Sequence, residues 1–84
     1  MTAVLLPFPR SRDVAFVRRH ADHLRSCRSP EAADRYLEHQ LRIQAQTMTR
    51  KGLELWVVEY EIHALEAAIR RELYSSQQRP GGAA

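Results

Sequence analysis

One cysteine among 84 residues, Cys27, excludes an internal disulfide and points to a reducing compartment. Long apolar runs are missing as well. None approaches the about 18–20 residues that span a bilayer, so no membrane association is expected. The opening Met1 to Leu6 lacks the basic start and the apolar length of a signal peptide, and Pro7 and Pro9 then interrupt it, so a cytoplasmic location is expected. The three glycines stand at positions 52, 81 and 82, which leaves no Gly-rich phosphate loop and no nucleophile elbow, and there is no HExxH metal motif. Twelve of the thirteen basic residues are arginine. Because heavy Arg and Ala usage can reflect a GC-rich genome, arginine enrichment alone does not indicate nucleic-acid binding.

What is present describes a small globular protein. Hydrophobic residues make up 44% and charged residues 27%, ordinary proportions for one folded domain. A chain of this size buries only roughly 60–65% of its unfolded surface, so its core is thin, and association with a second chain is a common remedy. The net charge of +3 is unevenly spread. Residues 1–28 carry six arginines against Asp13 and Asp22, a sum of +4, whereas residues 52–74 carry five glutamates against Arg70 and Arg71, a sum of −3.

Local signals predict an all-α fold of three helices, at about 11–27, 30–51 and 54–74. They are preceded by an extended arm (1–10) and followed by a disordered tail (75–84), so that 11–74 is a single helical domain. Pro7 and Pro9 keep the arm out of a helix. Ser11 is the expected N-cap of the first helix, with Asp13 in its first turn. Val14, Val17, Ala21 and Leu24 form its apolar stripe, widened by Phe16 and Cys27. Ser29-Pro30-Glu31 reads as cap, first-turn proline and first-turn acid. Gly52 is the expected left-handed stop, with Met48 and Leu53 as the apolar pair of a Schellman ending. The second helix has a main stripe of Ala33, Leu37, Leu41, Gln44 and Met48 and a second set of Ala32, Tyr36, Ile43 and Thr47.

The third helix has apolar residues on two sides. Leu55, Val58, Ile62, Leu65, Ile69 and Leu73 form one stripe, and Trp56, Val57, Tyr60, Ala64 and Ala67 lie nearly opposite. A surface helix of a monomer needs only one stripe. Trp56 and Tyr60 supply contact area of the kind enriched at interfaces, and Ala64 and Ala67 allow close helix approach. The expectation is therefore a homodimeric helical bundle, two-fold dimers being the commonest oligomers. Leu6 and Phe8 of the arm are rival or additional interface residues, since an extended proline-containing segment can lie in an apolar groove of its own chain or another.

The Leu6-Pro7-Phe8-Pro9 arm followed by an Arg-rich helix resembles the openings of a family of short, uncharacterised alphaproteobacterial proteins known only as a domain of unknown function. The Ala64-Leu65-Glu66-Ala67-Ala68-Ile69-Arg70-Arg71-Glu72-Leu73 ending, after a helix break at Gly52, is similar to theirs too. The resemblance implies a bacterial cytoplasmic protein and assigns no functional residue.

Chemistry has weaker footing. His20, His23 and Cys27 stand at i, i+3 and i+7 and could offer three zinc ligands from one helix face. The paired ligands from a loop that usually accompany them are missing, and packing roles are preferred, with no cofactor expected. Glu59 and His63 at i, i+4 read as a surface helix contact before an acid/base pair. The helices split by Gly52 fail as a helix-turn-helix, because the would-be recognition helix carries Glu54, Glu59 and Glu61 near its start, where base-contacting residues should be, and these would repel phosphate. The resulting expectation is a non-catalytic homodimeric interaction or regulatory protein, with an acidic protein as a further partner. The alternative is a nucleic-acid-associated accessory protein that contacts phosphates through Arg12, Arg18, Arg19 and Arg25.

Overall fold

A computed structural model describes residues 9–78. Among them are a 3₁₀ turn at Arg10–Arg12 and three α-helices, α1 (Val14–Arg25), α2 (Pro30–Arg50) and α3 (Leu55–Gln78), with no strand. The all-α, three-helix expectation is met. The arm residues Leu6 and Phe8 and the tail from residue 79 onward lie outside the described residues.

Each helix boundary has a local cause. Pro9, at φ −64° and ψ 142°, directs the chain into the 3₁₀ turn, which closes when the Arg12 and Asp13 amides donate to the carbonyls of Pro9 and Arg10. The cap of α1 is therefore Asp13, not Ser11. Asp13 is extended and its carboxylate accepts from the Phe16 amide at 3.0 Å, while Ser11 is taken up in the turn. That amide is the main cause that holds the Asp13 carboxyl below its ordinary range. α1 stops at Arg25, short of the expected Cys27. Pro30 requires an extended residue before it, and Ser29 obliges at φ −147° and ψ 161°, its hydroxyl capping the Ala32 amide at 3.1 Å. The end of α2 is as expected. Gly52 has φ +89°, its amide donates to Thr49, and the Leu53 amide reaches back to Met48 at 3.2 Å. α3 continues through Ser75 to Gln78, beyond the expected end at residue 74.

After the Gly52 turn α3 returns beside α2, and α1 runs in the same direction as α3. Asp34 and Leu37 thus lie near Glu66 and Arg70, and Gln44 and Met48 near Glu61 and Leu65. Arg18 pairs with Glu72 at 3.6 Å. α3 is central, packing on the 3₁₀ turn, on α1 and on α2, while α1 and α2 touch each other least. The core joins Phe16, Val17, Ala21 and Leu24 of α1, Leu37 of α2, and Leu65, Ala68 and Ile69 of α3. Ala21 is fully buried, where its small side chain lets α1 lie close to its neighbours. The molecule measures 51 × 25 × 15 Å, a flat shape that leaves helix faces uncovered.

Candidate interaction surfaces

The two sides of α3 are treated differently. Val57, Val58, Leu65, Ala68 and Ile69 are buried. At about 100° per residue they cover an arc of roughly 120°, which is what a helix pressed by two neighbours on one side buries. The sequence reading sets Val57 on the opposite side. It lies at the edge of the arc and turns inward, whereas Leu55, on the first turn and at the other edge, is 69% exposed. The remaining side is open. Trp56 and Tyr60 are 57% and 67% exposed, Tyr74 is similarly exposed, and Ala67 is exposed with them. Ala64 is half-buried at the margin. The Trp56 indole donates to the Glu54 carboxylate at 2.7 Å. Trp56, Tyr60, Ala67 and Tyr74 lie within about 40° of one another around the axis, an aromatic stripe about 27 Å long. Tyr74 extends the expected interface set. Its spacing of eighteen residues, five full turns, from Trp56 was the available signal.

A second surface lies where α1 meets α2. Phe16 meets His20 edge-on at 4.4 Å, His20 faces Tyr36 at 5.7 Å, and His23 stacks on Tyr36 at 3.9 Å. His20 Nδ1 and the Tyr36 hydroxyl are 2.6 Å apart. Burial, reinforced by Arg19, His23 and Arg10, lowers the His20 pKa from its ordinary 6.5, and burial raises that of Tyr36. Both directions favour a protonated phenol donating to a neutral imidazole. Cys27, half-buried, directs its thiol at the His23 carbonyl. His20, His23 and Cys27 are each engaged in packing or local hydrogen bonds, and among the described residues no three His, Cys, Asp or Glu side chains gather as a metal site.

The whole chain, residues 1–84, matches a family of unknown function, DUF6074. The chain belongs to that family. No curated protein and no solved structure matches it. DUF6074 membership agrees with the expected membership of a family of unknown function, and it assigns no activity.

In this DUF6074 chain the four arginines expected to line α1 divide into two pairs. Arg18 faces Glu72 of α3 at 3.6 Å, and Arg25 pairs with Asp22. Arg12 and Arg19 are exposed and have no ion-pair partner among the described residues. Arg10 pairs with Asp13 at 3.1 Å and lies 4.7 Å from the Phe16 ring, with Arg19 at 5.8 Å from the same ring. Of the two without an ion pair, Arg19 lies beside an aromatic ring. Between α2 and α3 a groove of about 290 Å³ is lined by Arg10, Asp13, Gln44, Met48, Lys51 and Glu61. No described helix is long and apolar enough to cross a membrane.

Proposed function

We propose that the protein is a small homodimeric interaction protein without catalytic activity, joined through the exposed face of α3. The observation that carries the reading is the uncovered stripe of Trp56, Tyr60, Ala67 and Tyr74 on the helix whose other side forms the core. Aromatic residues in such a position gain most from a desolvated partner surface.

The stripe is also complementary to itself. A two-fold interface pairs residue i with j and j with i. An antiparallel pairing of two α3 helices centred beside Leu65 sets Trp56 against Tyr74 of the second copy, and Tyr60 against its Arg70. The same register sets Glu59 against Arg71 and His63 against Ala67. Acid at one end of the helix then meets base at the other, and the small Ala67 lies near the crossing point. The outer faces of α1 and α2 stay available to other partners.

Trp56 is the chain's one tryptophan, so its fluorescence reports this contact directly. Dilution from hundreds of micromolar to nanomolar is expected to shift its emission to longer wavelength as the indole becomes wet. Trp56→Asp is expected to give a folded monomer, because the side chain is already 57% exposed within one chain. An emission maximum independent of concentration, together with an unchanged mass for Trp56→Asp, would contradict the proposal.

A further inference from the structure

The edge between α1 and α2 combines two features that occur apart in ordinary surfaces. One is a run of rings, ending in the exposed His23 stacked on Tyr36 at 3.9 Å with an interplanar angle of 24°. The other is a set of guanidinium groups. Arg10 and Arg19 both lie over Phe16, and Arg12, on the 3₁₀ turn that precedes α1, is exposed. Arg12 and Arg19 form no ion pair among the described residues, while Asp13 pairs with Arg10 and also attracts Arg19 at longer range. Asp34 and Glu38 of α2 lie on its other side, beside Glu66 and Arg70 of α3. The positive field is felt locally, since Arg19, His23 and Arg10 all act with burial to oppose protonation of His20.

We propose that this edge binds single-stranded nucleic acid, with phosphates on Arg10, Arg12 and Arg19 and a base stacked on His23. A single strand offers what both features need, a charged backbone and open base faces, and every base has a face to stack. An acidic peptide would use the arginines and leave the rings unengaged. A duplex would present its phosphates with the bases already stacked on each other. The inference stands apart from dimerisation, because α3 contributes none of these side chains.

The test is fluorescence anisotropy on labelled 20-nucleotide single strands, oligo-dT and oligo-U, against a duplex of equal length and a poly-glutamate competitor. Binding to the single strands is expected at about 20 mM salt and should weaken steeply as salt rises. Arg12→Ala and Arg19→Ala are each expected to reduce the slope of log K against log salt by about 0.7. His23→Ala is expected to weaken single-strand binding at least about five-fold while leaving duplex binding unchanged. Both arginines and His23 are exposed, so unchanged melting curves will show that these variants fold. The relative affinity for oligo-U and oligo-dT assigns the strand type. Absence of binding at low salt would overturn the proposal. So would indifference to the double variant Arg12→Ala/Arg19→Ala, equal affinity for the duplex, or displacement by poly-glutamate at matched charge.

Discussion

At the scale of residues, His20 and Tyr36 are the most informative pair. His20 titrates below its ordinary 6.5 in the folded chain, because burial and then the charges of Arg19, His23 and Arg10 oppose its protonation. As pH falls through 6.5, the unfolded chain takes up a proton that the folded chain refuses. This residue's contribution to stability is therefore full above 6.5 and declines below it, until the folded imidazole also protonates. Melting temperatures at pH 7.5 and 5.5 should differ less for His20→Gln than for the unaltered chain. Tyr36→Phe removes the 2.6 Å bond and is expected to cost about 1 kcal/mol in denaturant unfolding. Ile69, 1% exposed, is the largest fully buried side chain among the described residues, and Ile69→Ala is expected to cost about 2–5 kcal/mol. In a domain this small, such a loss is a large share of the total. The sequence places Ile69, Leu65 and Val58 correctly on the buried stripe, because that stripe repeats at three and four residues. It cannot place Tyr36 against His20 and His23, since that contact joins residues sixteen apart in sequence through the packing of two helices.

At the scale of elements, the stops are more legible than the starts. The ending of α2 follows from one residue, since only glycine occupies φ +89° without strain. A β-carbon at Gly52 would meet no atom within 4 Å, so the cost of Gly52→Ala is backbone strain alone, about 1–2 kcal/mol. Chemical denaturation with an unchanged slope would verify that figure. Ser29→Ala, which removes the cap on the Ala32 amide, is expected to cost about 1 kcal/mol by the same measurement. The start of α1 is harder to read because Ser11 and Asp13 are both competent caps. Pro9 decides between them by setting up a 3₁₀ turn that consumes Ser11. The two-sided character of α3 is visible in the sequence, but the division between its sides is not. Val57 goes inward and Leu55 outward because two neighbours press on α3 from adjacent directions, which no single helix period conveys.

At the scale of the whole molecule, three helices form a layer 51 × 25 × 15 Å in extent. A compact chain of this length would have a radius of gyration of about 12 Å, against the observed 14.4 Å. The larger radius reflects an elongated shape, with surface exposed on more than one side. On one side that surface is the aromatic stripe of α3, and at the α1–α2 edge it is arginine beside stacked rings. The sequence separates charge correctly into a basic first helix and an acidic third. Which arginines remain available depends on Glu72 and Asp22 having engaged Arg18 and Arg25, a matter of three-dimensional pairing. If α3 pairs antiparallel with its twin, Glu59→Arg opposes like charges and weakens the dimer. The double reversal Glu59→Arg/Arg71→Glu restores it, and sedimentation velocity would follow both. The most direct measurement is the mass of the unaltered protein in solution, by light scattering across micromolar concentrations. Pairing through α3 requires about twice the chain mass of 9.7 kDa, falling to the chain mass in Trp56→Asp. A mass of one chain at every concentration would contradict it.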